Sequence, residues 1–510
     1  MYTGFFRPLK DRAQKSLSIR RNTIANYVGS ICIAILNFIF IPLYIKYLGI
    51  ESYGLIGFSV SLSMLLRLAD LGLSSTLCRE FARYSSLQEP AIKMRSLLKT
   101  LQIIYWGISF IVGGLIIIIS PFIAGHWINA GSLGIARVQK AVVLMGLTAV
   151  LQGPTSLYSS GIFGLQKHVL GNSLNIALVA VRSGGAVLAL ILLSPSITTF
   201  FVYQLIVALI GGVAIGIILW DLLPKTHTPS YFSFSQLKTV WRFAAGMSIN
   251  SVLWLVLTQL DKIILIKMLP LQMFGYYSLA SAAALATSYL STPLFTTFLP
   301  RYTQLYSLGD NESLRKTYRL SCRLNAFIIA PTIVLLAFFS QAALLIWTRN
   351  PVIARQTYMI LSLLVIGYGL NQIASLPYAL QVASGWIKLS VYTNMVAVIV
   401  IVPTLVIATH LFGAMGACAV WIALNCTYVF IDVNVLHRRI LKGEARHWYA
   451  DLLLPLGLAL GVGLLGRLLL PTASGVIFVF LVGLLWMLII FVGILATPSI
   501  RRMIPVLSRL

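Results

Sequence analysis

The stretch NTIANYVGSICIAILNFIFIPLYI, residues 22–45, contains no charged side chain. An α-helix rises about 1.5 Å per residue, so roughly twenty apolar residues cross the hydrocarbon core of a bilayer. Residues 1–21, which precede this stretch, are polar and basic. Because the apolar run is longer than that of a signal peptide and lacks a small-residue cleavage site, we predict a first membrane-spanning helix here.

The composition of the whole chain extends this prediction. Of its 510 residues, 59% are hydrophobic and only 10% are charged, whereas a soluble domain carries about 25% charged residues. The net charge of +26 is spread over short basic clusters between apolar runs. That pattern is typical of topology signals and of contacts with anionic lipid headgroups, and it argues against nucleic acid as a partner.

Apolar runs of similar length recur along the chain and predict about fourteen membrane-spanning helices. Two longer runs are divided at 194–196 and 410–413, where turn-forming residues interrupt them. The predicted helices cover 22–45, 54–78, 101–120, 141–164, 169–193, 197–220, 243–266, 275–299, 323–347, 356–382, 389–409, 414–436, 451–469 and 475–496.

The distribution of lysine and arginine predicts the orientation of these helices. With the amino terminus inside, most basic residues fall in segments on the inner side, as the positive-inside rule requires. An error of one helix would reverse the sides partway along the chain and remove this bias. We therefore predict an even number of spans, with both termini on the cytoplasmic side.

A faint internal repeat divides the chain into two lobes. At one constant offset, Ile45 aligns with Ile266 and Lys167 aligns with Lys388. Six predicted helices separate the two copies, so the copies have the same orientation, as in transporters that enclose a central cavity between parallel repeats. The predicted organisation is a basic cytoplasmic amino terminus (1–21), an N-lobe of six helices (22–220), a cytoplasmic linker (221–242), a C-lobe of six helices (243–437), two further helices (451–496) and a cytoplasmic tail (497–510).

Motifs of catalysis are absent from the sequence. It contains no metalloprotease, nucleophile-elbow or Walker motif, and its six histidines lack the spacing of metal ligands. Glu51 is the sole acidic residue on the predicted outer side, where a glycan polymerase or ligase would need catalytic carboxylates. We therefore expect neither an enzyme nor a bound cofactor, and we expect the function to lie inside the helix bundle.

Charged residues inside predicted helices are the candidates for that function. Such a residue costs about 2.5–3.5 kcal/mol at the centre of the membrane, so it usually faces a cavity or pairs with an opposite charge. Arg182 has no acidic residue within one helical turn of the sequence and is the preferred candidate for binding an anion. Arg79 and Arg301 close their helices at the inner rim, where their role in topology is the simpler explanation.

Two pairs of neighbouring opposite charges form a second group of candidates. Arg67 and Asp70 are three residues apart on the second predicted helix and share one face, and Asp261 and Lys262 are adjacent on the seventh. Arg67 with Asp70 is equally well explained as an internal ion pair, and Lys262 as a side chain that reaches the outer interface. In a functional interpretation, arginine and lysine bind phosphate oxygens. Asp70 or Asp261 then binds a coupling proton or sodium ion.

Three motifs resemble those of a known family. The stretch IPLYIKYLGIESYG (41–54) is similar to the first extracellular turn of polysaccharide flippases, and DLGL (70–73) with the following Arg79-Glu80 resembles their second-helix signature. The stretch QLDKIIL (259–265) looks like their seventh-helix motif. By these motifs the chain resembles the O-antigen and exopolysaccharide (Wzx-type) flippases of the multidrug/oligosaccharidyl-lipid/polysaccharide exporter superfamily.

This resemblance implies an all-α, two-lobed, MATE-like transporter. It would move an undecaprenyl-diphosphate-linked oligosaccharide from the inner to the outer leaflet of a bacterial cytoplasmic membrane. The implied partners are that lipid-linked oligosaccharide, membrane lipids, a polysaccharide polymerase and a chain-length regulator. The motifs support Asp70, Asp261 and Lys262 as family positions, whereas Arg67 and Arg182 rest on charge alone. A lipid II flippase, an exporter of cationic drugs and a membrane glycan polymerase are the alternatives.

Overall fold

A computed structural model describes residues 22, 25–70, 72–87, 91–226, 228–234 and 248–469, together with 481, 483, 484, 486 and 487. Across these residues the chain is helical with short connections and contains no β-strand. The predicted amino terminus and tail, the second half of the predicted linker and most of the last predicted helix lie outside the described residues. The all-α class is confirmed.

The chain divides into two compact units, Met1–Gln259 and Leu260–Leu510. The helices up to this boundary are α1 (Ala25–Ile39), α2 (Ile41–Leu66), α3 (Leu73–Leu87), α4 (Ala91–Phe122), α5 (Ile135–Gly164), α6 (His168–Leu192), α7 (Ile197–Leu222) and α8 (Ser248–Met268), and α8 contains the boundary itself. The later helices are α9 (Leu271–Ala286), α10 (Ser288–Ser307), α11 (Asn311–Phe338), α12 (Ser340–Thr348), α13 (Pro351–Ala383), α14 (Lys388–Thr427), α15 (Val433–Arg439) and α16 (Ala445–Leu469).

Nine helical segments in the described part of the chain are long and apolar enough to cross a membrane. The longest, Lys388–Arg439, has 52 residues and contains two of the predicted spans. These spans meet at Gly413, whose positive φ of 58° interrupts the helix inside the predicted turn 410–413. The turn predicted at 194–196 is also present, since Ser196 caps α7 by accepting a hydrogen bond from the Thr199 backbone N–H.

The prediction of one continuous helix over 54–78 is wrong. α2 ends at Leu66, a 3-10 turn occupies Arg67–Asp70, and Gly72 has a φ of +76° before α3 begins. A 3-10 turn advances about three residues per turn and a positive φ favours glycine, so the helix cannot continue through this point. The predicted second helix is therefore divided between α2 and α3, and Arg67 and Asp70 are the ends of the 3-10 turn between them.

Two other predicted helices have wrong bounds. The helix predicted at 323–347 begins at Asn311, because the Asp310 carboxylate accepts a hydrogen bond of 3.0 Å from the Ser313 backbone N–H and caps it. This hydrogen bond holds the pKa of Asp310 below its usual value. Hydropathy misses these first turns because they are polar. The helix predicted at 275–299 is interrupted at Thr287, where α9 ends and α10 begins.

The first part of the predicted linker is folded onto the first unit. The Ser96 and Thr100 hydroxyls on α4 accept hydrogen bonds from the backbone N–H groups of Tyr231 and Ser233, at 3.3 and 2.9 Å. Ser96 and Thr100 are fully buried. The hydrogen bonds from this segment therefore satisfy hydroxyl groups whose burial without a partner would be unfavourable. The two compact units meet at Gln259, whereas the predicted C-lobe begins at residue 243. The predicted lobe bounds therefore stay predictions.

Within the second unit, a row of arginines on α11 binds acidic side chains of α16 and of the turn before it. Arg319 makes a two-point hydrogen-bonded ion pair with Glu444, whose side chain is 0% exposed, and Arg315 lies 3.6 Å from the same carboxylate. One turn further along, Arg323 binds Asp451 at 2.5 Å. Each arginine is four residues from the next, so the three side chains share one face of α11. Consecutive turns of α11 therefore contact α16 and the turn before it.

We expect Glu444→Gln to lower the thermal stability of the purified protein. The amide keeps the volume of the side chain but loses charge-assisted hydrogen bonds to Arg319, which are worth about 1.5–3 kcal/mol each when a charged group is involved. The melting midpoint in detergent measures this effect. The matched control is Glu312→Gln, because Glu312 and Lys316 form an ion pair in which both side chains are more than 70% exposed. An equal loss in both variants would show that burial of Glu444 does not matter.

Candidate functional site

Asp261 and Lys262 form an ion pair on α8. Lys262 Nζ lies 3.5 Å from Asp261 Oδ1, and the two side chains are only 13% and 15% exposed. The sequence predicted both residues as candidates, and the structure brings them together as a pair. An aspartate and a lysine in contact have no net charge, so this arrangement lowers the cost of placing them among apolar helices.

Helices of the second unit converge on this pair. Tyr277 of α9, which is fully buried, donates a hydrogen bond of 2.5 Å to Asp261 Oδ2. Tyr368 of α13 and Cys418 of α14 lie within electrostatic range of Asp261. We call these five residues the Asp261 cluster. Because one carboxylate oxygen faces the ammonium group and the other accepts from a tyrosine, the carboxylate is held in one position.

Polar groups continue beyond the Asp261 cluster within the second unit. Tyr368 packs against Trp421 with ring centroids 5.3 Å apart, and Gly367 admits the indole, since a Cβ there would lie 2.5 Å from Trp421 Cδ1. Asn371 donates to Asn425 at 2.8 Å. The buried Trp421 Nε1–H has no hydrogen-bond partner among the described residues.

A cavity of about 240 Å³ lies within the first unit beside Asp70. We call it the Asp70 cavity. Its walls come from the end of α2, the 3-10 turn, α4 and α5. The polar side chains that line it are Ser63, Asp70, Tyr105, Ser109, Gln152 and Ser156.

The Asp70 carboxylate is positioned by the helix that follows it. Asp70 Oδ1 accepts hydrogen bonds from the Ser74 backbone N–H at 3.2 Å and from the Ser74 hydroxyl at 2.6 Å. These contacts satisfy a free N–H group in the first turn of α3, where a negative charge is also favoured by the helix dipole. Asp70 Oδ2 makes no hydrogen bond with the described protein groups.

Tyr105 is placed in this cavity by the lack of a side chain at Gly153. A Cβ at Gly153 would lie 2.6 Å from Tyr105 Cε1, which is closer than two carbon atoms can approach. The close approach of α4 and α5 at this point lets the Tyr105 ring form part of the wall. Ser109, one turn further on, donates across the same contact to the Val150 carbonyl at 3.4 Å.

Arg182 lies half-buried on α6 in the first unit, outside the lining of the Asp70 cavity. The backbone around it is held by neighbouring side chains. Tyr44 donates to the Ser183 carbonyl at 2.9 Å, and Gln204 donates to the carbonyl of Arg182 itself at 3.4 Å. The Arg182 charge acts on the nearby Tyr44. The two hydrogen bonds hold the backbone of α6 in place at the point from which the Arg182 side chain extends.

The remaining predicted residues lie elsewhere. Arg79 binds Glu80 at 2.6 Å, which agrees with a structural part for this arginine. Arg301 is exposed and donates to Gln304 at 2.8 Å. The side chain of Arg67 is outside the described part of the chain. Among the described residues, no three histidine, cysteine or acidic side chains are grouped as metal ligands.

Comparison with known proteins identifies the family. The family model described as "Polysaccharide biosynthesis protein" matches residues 19–306, which is more than half of the chain. The chain belongs to the polysaccharide biosynthesis protein family. The matched range contains the Asp70 cavity, Arg182 and the Asp261–Lys262 pair.

Two proteins of known name are similar to this family member in sequence. A Shigella flexneri protein named "Putative O-antigen transporter" is 21% identical over 417 residues, which is 79% of this chain and 94% of that protein. The Bacillus subtilis (strain 168) protein named "Uncharacterized membrane protein EpsK" is 22% identical over 335 residues, which is 64% of each chain.

Solved structures show the fold of this family member. A structure of the lipid II flippase MurJ in an inward closed conformation has a TM-score of 0.67 at 14% identity and covers 92% of this chain and 97% of its own. An inward-facing multidrug resistance MATE family transporter of the MOP superfamily has a TM-score of 0.62 at 14% identity and covers 80% and 94%. The predicted MATE-like, multi-pass membrane fold is confirmed.

Sequence reasoning missed the neutral partners of the charged residues in this family member. Tyr277 follows Asp261 by 16 residues on the next helix, whereas Tyr368 lies far from Asp261 and Gln152 far from Asp70 along the chain. None of the three carries a charge that marks it in an apolar helix. A signal for one of them is present, since Gln152 precedes Gly153-Pro154, a pair that disfavours a helix interior. For the tyrosines the sequence contains no comparable signal.

Proposed function

We propose that this protein is a flippase that moves an undecaprenyl-diphosphate-linked oligosaccharide from the inner to the outer leaflet of a bacterial cytoplasmic membrane. The family match over residues 19–306 carries this proposal, and the relative named for O-antigen transport supports the substrate class. The basic residues between the spans support a cytoplasmic position for both termini. The protein acts as a transporter and not as an enzyme.

Arg182 is the proposed ligand of the diphosphate. Its guanidinium group presents planar, paired donors that match phosphate oxygens. It lies half-buried on α6, within the residues that the family model matches. At Lys262, the Asp261 carboxylate 3.5 Å away balances the charge of the ammonium group.

The coupling ion of this flippase is a proton that binds Asp261. A sodium site would have to tolerate the Lys262 ammonium group beside the same carboxylate, and like charges at about 4 Å repel strongly in a low-dielectric setting. Protonation instead removes the negative charge of Asp261 and releases Lys262 from its ion pair without placing a second cation beside it. The charged and titratable groups around Asp261 that set this behaviour are Lys262, Tyr277, Tyr368 and Cys418.

Reconstitution tests the flippase function directly. We expect proteoliposomes to move lipid-linked oligosaccharide, extracted from cells in which the gene is deleted, so that its sugar becomes reactive to membrane-impermeant periodate. Protein-free liposomes are the control. Transport of lipid II alone, or of a cationic dye alone, would contradict the proposal and favour the two transporter alternatives. Acceleration by an inward proton gradient, with no response to sodium, is expected for coupling.

A further inference from the structure

We infer that the Asp70 cavity is a subsite for one sugar ring of the transported oligosaccharide. This inference rests on the proposed function and assigns to the first unit a task separate from holding the diphosphate. It follows from what lines the cavity, how large the cavity is and how its walls are held.

Half of the lining residues have polar side chains, although the surrounding helices are apolar. Ser63, Gln152 and Ser156 make no hydrogen bond with a protein group in the described part of the chain. Hydroxyl and amide groups without partners are costly away from water. The cavity therefore holds water or a ligand that supplies hydrogen bonds. A lipid chain would leave these groups without partners.

The mixture of groups favours a neutral, hydroxyl-rich ligand over an ion. Serine and tyrosine hydroxyls and the Gln152 amide both donate and accept, as sugar hydroxyls do. Among the described residues of the lining, Asp70 is the single charged group, and its Oδ1 already accepts a hydrogen bond from the Ser74 hydroxyl. Its Oδ2 is left as a fixed acceptor for a sugar hydroxyl. A phosphate would be repelled by this carboxylate, so the lipid diphosphate does not fit here.

The size and the aromatic wall suit a single ring. The cavity volume of about 240 Å³ is below the range of about 300–1,000 Å³ for pockets that bury a drug-sized ligand. One sugar ring can occupy this space while the sugars linked to it lie outside the cavity. Tyr105 supplies an aromatic face for the C–H side of the ring, and the bare backbone of Gly153 keeps it there.

Protection of a single cysteine from a thiol reagent tests this subsite. In a chain without its five native cysteines, Ser156→Cys reacts with a membrane-impermeant maleimide in detergent. We expect lipid-linked oligosaccharide to slow this reaction at least threefold and undecaprenyl diphosphate, which lacks sugar, to leave it unchanged. Lys140→Cys, exposed on the same helix and outside the cavity, is the matched control and should react equally under all conditions.

Variants of the wall give a second, independent measurement. Gln152→Leu and Gly153→Ala should weaken binding of lipid-linked oligosaccharide at least tenfold and leave binding of undecaprenyl diphosphate unchanged. Thr148→Ala, one turn away on α5 and outside the lining, should change neither. Equal protection by both lipids would overturn the inference. So would transport in proteoliposomes without protection of position 156, whereas loss of transport with intact protection would overturn the flippase function alone.

Discussion

Replacing Arg182 by alanine should abolish display of surface glycan while leaving the amount and the membrane insertion of the protein unchanged. The side chain is half-buried on α6, and the helix around it is held through backbone carbonyls by Tyr44 and Gln204. The substitution therefore removes the cation without removing these contacts. Two charge-assisted hydrogen bonds to a phosphate, each worth about 1.5–3 kcal/mol, correspond to a loss of transport of roughly a hundredfold or more.

The same strain should accumulate lipid-linked oligosaccharide on the inner face of the membrane. Arg182→Lys should retain partial function, because lysine keeps the charge but not the paired donors. Arg137→Ala is the matched control, since this arginine of α5 is exposed and its loss removes an equal charge from the same unit. Wild-type surface glycan in the Arg182→Ala strain would exclude Arg182 as the ligand of the diphosphate.

Asp261→Asn should give a protein that binds substrate but no longer responds to protons. The amide oxygen can still accept the hydrogen bond from Tyr277, so the local packing is kept. Lys262 loses its ion pair, and the cluster gains one positive charge. The wild type should transport faster with an inward proton gradient than without one, whereas the variant should transport equally in both conditions.

Transport by Asp261→Asn should fall at least tenfold and lose its response to a proton gradient, since an amide cannot bind the coupling proton. Asp310→Asn is the control, because asparagine caps a helix as well as aspartate does and Asp310 precedes the apolar part of α11. Transport by proteoliposomes with and without an inward proton gradient gives the measurement. If Asp261→Asn keeps the wild-type response to the gradient, the coupling proton binds elsewhere.

The sequence predicted the bounds of membrane helices well where the apolar run is continuous. It predicted them poorly where polar residues or a change of backbone geometry set the bounds. Hydropathy records which residues tolerate lipid, so it detected the runs that became α6 and α7. It does not record polar turns of helix beyond the membrane, and α11 therefore begins twelve residues before its predicted start. It is also insensitive to a change of backbone geometry inside an apolar stretch, as at the 3-10 turn Arg67–Asp70.

For the candidate site, the sequence identified the charges but not their surroundings. Charged residues stand out in apolar helices because their burial is costly, so Asp70, Arg182, Asp261 and Lys262 were visible without a structure. The adjacency of Asp261 and Lys262 along the chain also made a pair conceivable. Whether the two side chains meet depends on rotamers and packing, and only the distance of 3.5 Å established it.

By itself, the sequence determined the class of protein. Few charges and long apolar runs leave membrane-spanning helices as the structure that satisfies every backbone hydrogen bond in lipid. The tertiary structure alone decided which neutral groups lie near the charges: Tyr277 donates a hydrogen bond to Asp261, and Tyr105 and Gln152 line the same cavity as Asp70. Contacts between helices distant in sequence depend on how side chains fill the space between them, and the periodicity of a single helix carries no information about its neighbour.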